Sequence, residues 1–442
     1  PPEDLLFGFA ALPVPVALAA AVHGLTAVPA KTVTSALHLK LLAAATVVTA
    51  GGGGVVFAVH HSPAEPETLA AAPPAAVLTT TPRPATPTAP TTTTPPVRAS
   101  AVGLGVQRAD IYVAPDGSDD GDGSKERPYA SVGKAVSRVR PGQTIALRGG
   151  TYRPRDGVAI TTSGTAERRI VLSSYRDERP VLDASGIPDD QWAVTQDASF
   201  WTVQGLEIKD APGHAYVCRA CRANVFRRLS VHGHGRSGLM LRDPGTSGNQ
   251  VLDSDFTGGG TGLSVQFGSG AGTVVRGNRF RGNSGPGLDL GAFTSAVTVE
   301  YNWAYGNGGS GFVLGGGTPP AAAPHKLRHN AAWDNGSNGF AGDGNTAALE
   351  LTNNTAFRNR GTGFHLPDAA ATVRSDVAVG NDRPYELGSS AAQSRNSWQQ
   401  ETAPFRSTDP AEADGPRTAS GGLPSTAFLT TGDGSGASMG GG

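Results

Sequence analysis

The chain has 442 residues, with 36 Lys plus Arg against 37 Asp plus Glu and a formal net charge of −1. That balance leaves no global basic field and excludes nucleic acid as a partner. Gly (61) and Pro (33) make up about a fifth of the chain and aromatics only 6%, which argues against two or three ordinary domains and for turn-dense β structure or low complexity; two cysteines, three residues apart, exclude a disulfide framework.

Taken in chain order, residues 1–61 read as a membrane-associated region. Within it, 41–59 (LLAAATVVTAGGGGVVFAV) is a run of nineteen residues without a charge, long enough to cross a hydrocarbon core. The apolar stretch 5–22 is broken by Pro13 and Pro15 and is the poorer candidate. Lys31 and Lys40 precede the run and Glu65 and Glu67 follow it, so the positive-inside rule places everything after it outside the cytoplasm. The expectation is a single-pass cell-membrane protein, held to the membrane through 41–59. Residues 62–107, rich in Pro, Thr and Ala, bury too little apolar surface to fold and read as an extended linker. The polar stretch 396–442, ending in Gly, Ser and Thr, reads as a disordered tail.

Between linker and tail, residues 108–395 form the folded domain. SVGKAVSRV (131–139) reads as a short amphipathic helix with Val132, Ala135, Val136 and Val139 on one face, placed to cap the open end of a solenoid. The loop before it, DGSDDGDGS (116–124), lacks the glutamate of a calcium-binding helix-loop-helix and reads as a polar connection. Coiling starts at TIALRGGTY (144–152).

Gly followed by an apolar residue then recurs at Gly238-Leu239, Gly262-Leu263, Gly287-Leu288, Gly311-Phe312, Gly339-Phe340 and Gly363-Phe364, with spacings of 24, 25, 24, 28 and 24. A second column runs through Asn278, Asn302, Asn330, Asn354 and Asp376, and a third, five residues later, through Asn283, Asn307, Asn335, Asn359 and Asn381. Tyr305, Trp333, Phe357 and Val379 lie between the two. Three columns in register mean a solenoid. Short alternating runs separated by Asn and Gly leave no room for a helix, so each coil holds three short strands and three turns. The fold class is all-β, a right-handed parallel β-helix. Asn suits a repeated turn because it tolerates left-handed backbone and its amide can bond along the stack.

In a strand such as Leu288-Asp289-Leu290 the leucines point inward and Asp289 outward. The same outward position holds Met240, Ser264, Asp289, Val313, Ala341 and His365; two residues on come Arg242, Gln266, Gly291, Gly315, Asp343 and Pro367. This predicts a long, shallow, open face suited to an extended polysaccharide, with Arg242, Gln266, Asp289, Asp343 and His365 as its binding residues.

YVAPDGSDDGDGSKERPYASVGKAV (112–136), TIALRGGTY, SGFVLGGG (310–317), HNAAWDNGSNGF (329–340) and LTNNTAFRNRGTGF (351–364) together resemble the family nine polysaccharide lyases, parallel β-helix pectate lyases, over roughly residues 109–390. The resemblance implies calcium-assisted β-elimination, with a lysine in the Gly-Phe-x-Leu-Gly-Gly run as base. Here Val313 holds the lysine's place. The places of the family's four calcium-binding aspartates read Thr261, Gly285, Pro286 and Asp289. Asp289 alone supports at most a weak calcium site. Lys326, in the long 28-residue coil, is the substitute base to consider.

His214, Cys218, Cys221, His232 and His234 could be imagined as a zinc site; a local disulfide or packed thiols are the alternatives, and packed thiols are expected. The reading is a monomeric, membrane-anchored, extracytoplasmic pectate-lyase-like protein that binds uronate-rich polysaccharide and lacks the family's base. The alternatives are an active lyase or glycoside hydrolase with relocated groups, and a structural or adhesive solenoid. A hydrolase needs two carboxyls flanking the bond; Asp289 and Asp343 lie two coils apart, about 10 Å by stacking distance.

Overall fold

The computed structural model describes residues 105–440; the expected membrane segment 41–59, and all but the last three residues of the expected linker, lie outside the described residues. Among those described, no helix is long and apolar enough to cross a membrane. The chain winds into a β-helix of three parallel sheets. The first, of twelve strands, runs from Ile111–Val113 to Ala392–Ser394. Two of ten strands run from Val158–Ile160 to Arg383–Leu387, here the site sheet, and from Gly150–Tyr152 to Val377–Val379, here the tail sheet.

The repeats of the sequence are the vertical contacts of this stack. Leu239, Leu263, Leu288, Phe312, Phe340 and Phe364 are partners in successive strands of the site sheet and are fully buried. Phe312 and Phe340 stack with centroids 5.0 Å apart, and Phe340 and Phe364 at 4.8 Å, the spacing of the coils themselves. The glycine before each is required by close approach. A Cβ on Gly262 would lie 2.5 Å from the carbonyl oxygen of Gly287, and one on Gly287 2.7 Å from that of Gly311.

Both asparagine columns are buried ladders. The Oδ1 of Asn302 accepts from the backbone N–H of Asn278 at 3.0 Å and from its Nδ2 at 2.9 Å, and the pattern repeats through Asn330, Asn354 and Asp376. Asn283, Asn307, Asn335, Asn359 and Asn381 do the same at the next corner. Each amide thereby satisfies backbone groups that a buried turn would otherwise leave unpaired.

The capping helix forms over Val132–Arg138, with Val132, Ala135, Val136 and the following Val139 buried in the core. Its start is held by two carboxylate oxygens: Asp119 Oδ1 accepts from the N–H groups of Ala130 and Ser131, and Oδ2 from the Ser131 hydroxyl. Ser131 in turn accepts from the Lys134 N–H at 3.1 Å. The acidic loop is thus a helix-capping device.

The tail is ordered over residues 396–440, which corrects the expectation of disorder there. Tyr305, Trp333 and Phe357 are partners on the outer face of the tail sheet, and with Trp303 they pack against Leu423, Phe428, Leu429 and Met439. Phe428 meets Trp333 edge-on at 5.2 Å. Asp255 pins the segment: Arg417 donates to both of its oxygens at 2.9 Å, and Arg279 to its Oδ1 at 2.7 Å. Burial pushes the Asp255 carboxyl up, but the two guanidiniums hold it well below the usual carboxylate range. Composition alone misjudged this segment, because a few apolar anchors suffice when a preformed aromatic surface awaits them.

Candidate functional site

The site sheet carries the outward residues in the predicted columns. Met240, Ser264, Asp289, Val313, Ala341 and His365 are consecutive partners, and Arg219, Arg242 and Gln266 form a parallel column two residues further along. The predicted open face is narrower than its register suggests. Met240, Ser264, Val313 and Ala341 are buried, Asp289 and His365 half-buried. Arg242 and Gln266 are half-buried as well, and Asp343 is exposed in the turn after Phe340–Ala341.

Asp289 is held rather than free. Its Oδ1 accepts from the Gly291 N–H at 2.8 Å, and Gln266 donates to the same carboxylate. Burial raises its pKa above the ordinary value, against those two hydrogen bonds, and the negative charge of Asp343 pushes the same way. His365 lies 3.6 Å from Glu386, one coil on, and burial raises the Asp343 carboxyl above its ordinary value, with His365 opposing.

Calcium does not fit this donor set. Gly285 lies beside Thr261, where a Cβ would come 3.3 Å from its hydroxyl. Pro286 offers its carbonyl to the Gly262 N–H. One carboxylate with its oxygen already engaged, one hydroxyl and backbone carbonyls fall short of the charge and oxygen count that Ca²⁺ takes. Among the described residues no group of three or more His, Cys, Asp and Glu could hold a metal ion.

Lys326 stands elsewhere. It opens the strand Lys326–Arg328 of the twelve-stranded sheet, exposed and 3.2 Å from Glu350 in the next coil. An ammonium on another face, paired with a carboxylate, cannot reach a sugar on the site sheet, so it is no substitute base. Nor do the histidines and cysteines converge. Cys218 and Cys221 are bonded to each other, which corrects the expectation of packed thiols. His214 Nδ1 accepts from the Ser237 N–H, His234 Nε2 sits 3.1 Å from the Thr261 carbonyl, and His232 pairs with Glu207 on the tail sheet. Burial lowers both His214 and His234 to about 4, leaving them neutral near pH 7.

Sequence reasoning missed Trp192, Arg219 and Phe267, which surround Arg242. The Arg242 guanidinium lies 5.9 Å from the Trp192 ring and 5.7 Å from that of Phe267, and Arg219 lies 5.9 Å from Trp192. Arg219 was readable in the sequence as the coil-earlier partner of Arg242; Trp192 was not, because it sits in a turn outside the repeat.

Residues 111–377 match the family model described as Pel9A-like, right-handed β-helix region. The chain is 32% identical to pectate lyase PEL9 of Emericella nidulans over 386 residues, covering 74% of this chain and 94% of that protein. It is 30% identical to pectate lyase L of Dickeya dadantii over 283 residues, 56% of this chain and 65% of the relative. The crystal structure of pectate lyase Pel9A superposes with a TM-score of 0.64 at 26% identity, covering 73% of this chain and 88% of that one.

Proposed function

We propose a function from the family to which the chain belongs, the Pel9A-like right-handed β-helix proteins: it binds a uronate-rich polysaccharide along the site sheet without cleaving it by the family's β-elimination. One observation carries this reading. The position where the resemblance calls for a lysine is Val313, buried and paired with Asp289, and a valine has no atom that accepts a proton. The calcium that would acidify the sugar's C5 proton lacks its carboxylates as well. Arg242, Gln266, Asp289, Asp343 and His365 remain as polar contacts for a chain lying along the coils.

The protein sits outside the cytoplasm, tethered through 41–59. The Cys218–Cys221 disulfide supports an oxidising compartment, and the charge asymmetry around 41–59 supports the orientation. Protease added to intact cells is expected to release the β-helix by cutting within 62–107; protection until lysis would refute the placement. For the chemistry, the purified protein with polygalacturonate and Ca²⁺ at alkaline pH is expected to form no unsaturated product above background, while oligogalacturonate binds measurably. Product formation would overturn the reading, and so would absence of binding.

A further inference from the structure

In four successive coils the residue that follows the second-column position of the site sheet, Ala220, Asp243, Phe267 and Ala292, has left-handed backbone, with φ between 47° and 77°. The backbone geometry is therefore a property of the coil. The residue occupying it is not. Small or acidic side chains fill this place in neighbouring coils, whereas one coil presents a phenylalanine in a conformation that bulky residues disfavour. Arg242 pairs with Gln266 and Asp243 with Gly268, so Phe267 is the extra residue of a β-bulge. Bulges re-aim side chains and gather beside functional sites. Here the bulge turns the ring outward: Phe267 is 54% exposed, more than any other large apolar side chain among the described residues.

Nothing in the packing accounts for an aromatic there. Around it, the rings of Trp192 and Phe267 flank the Arg242 guanidinium, giving a fixed surface of alternating rings and a planar cation. The charges of this surface cancel in pairs. Arg219 donates from Nε and Nη2 to both oxygens of Asp197, and Arg242 donates from Nε to Asp243 at 2.9 Å. A carboxylate approaching it meets Asp197 and Asp243 as well as the guanidiniums. An uncharged sugar does not pay that repulsion: the C–H face of a pyranose stacks on an exposed ring, and its hydroxyls can both donate to and accept from an Arg–Asp pair.

We propose that Phe267, with Arg242 and Trp192, forms a stacking subsite for an uncharged pyranose residue of the polysaccharide, one or two coils to the N-terminal side of Asp289. The subsite rests on the polysaccharide-binding reading given above and adds the class of sugar recognised at one end of it.

The test uses the full chain and two probes, oligogalacturonate and its fully methyl-esterified, uncharged counterpart, measured by calorimetry. Phe267→Gly is the decisive variant, because glycine favours the left-handed turn and the fold should hold its Tm or gain slightly. Its affinity for the esterified probe is expected to fall about tenfold, and Phe267→Trp to retain wild-type affinity. Wild-type affinity in Phe267→Gly, or a loss confined to the charged probe, would overturn the subsite while leaving the broader function intact. Failure of the wild-type chain to bind either probe would overturn both.

Discussion

The site sheet and the tail sheet are built from the same coils, share the Asn283 ladder at the corner between them, and differ in what their strands turn outward. On the tail sheet the column Arg281, Tyr305, Trp333, Phe357 and Val379 is largely aromatic, and the chain returns to cover it. On the site sheet the column Met240, Ser264, Asp289, Val313, Ala341 and His365 is mostly small or modestly polar, with Asp289 and His365 its half-buried members. A β-helix offers three faces of equal regularity, so the outward residues decide which face the chain itself closes. An apolar surface of this size is too costly to leave in water.

The comparison can be broken most forcefully at the tail. Arg417→Ala removes one of the two cations on half-buried Asp255 and strips donors from the Gly277 and Ser254 carbonyls. Stability should fall by about 3 kcal/mol, the low end for a broken buried pair because Arg279 stays. Urea denaturation would measure it; oligosaccharide affinity on the site sheet should not move. A large affinity loss with unchanged stability would mean the two faces are coupled.

The ladders beneath both faces come next. Asn330→Ala leaves the Asn302 N–H and amide without their acceptor and the Val299 carbonyl without its donor, and should cost about 1–3 kcal/mol. Binding by the folded fraction should be unchanged. Unchanged stability with lost binding would assign the ladder to the site.

Asp376 and Asp255 make an instructive pair, a buried and a half-buried carboxylate with opposite shifts. Asp376 stands in the Asn278 ladder, which its backbone N–H carries on to Asn396, and is pushed up to about 7 by burial, although Asn354 and Arg374 donate to it. Its unfolded value is about 4, so between these the native state binds more protons and stability declines as pH rises through the window. Asp255, with its pKa depressed, contributes stability above its unfolded value and loses it only as pH falls into the strongly acidic range. Asp376→Asn should keep the ladder contacts to Asn354, flatten the decline between about pH 4 and 7, and raise stability at pH 8 by about 1–2 kcal/mol. A decline unaltered in Asp376→Asn would place the titrating group elsewhere.

The smallest expected effect sharpens the open face. Val313→Lys should create no lyase activity, since the new ammonium faces Asp289 and keeps its proton, and no bound cation acidifies the sugar. Unsaturated product from this single variant would show that the remaining groups suffice for elimination.

Much of this was legible in the chain itself. The Gly-apolar column and the two asparagine columns required a β-helix, because only stacking coils bring residues 24 or 28 apart into contact, and the register of the site sheet followed from them residue by residue. The helix face at Val132, Ala135 and Val136 was equally plain, since its apolar period is local. Other features depended on where coils end and what lies over them. The tail's few apolar residues gain meaning only beside Trp303, Trp333 and Phe357, more than sixty residues away. Lys326 fell on a different sheet because the long coil returns to register before it. Cys218 and Cys221 met because one turn brings their Cα atoms to 5.9 Å. Phe267 carries no repeat in the sequence, and only the bulge sets its direction. Periodicity fixes the partners that repeat every coil; the irregular turns and the returning tail obey no period, and only their packing against the finished solenoid determines where those side chains lie.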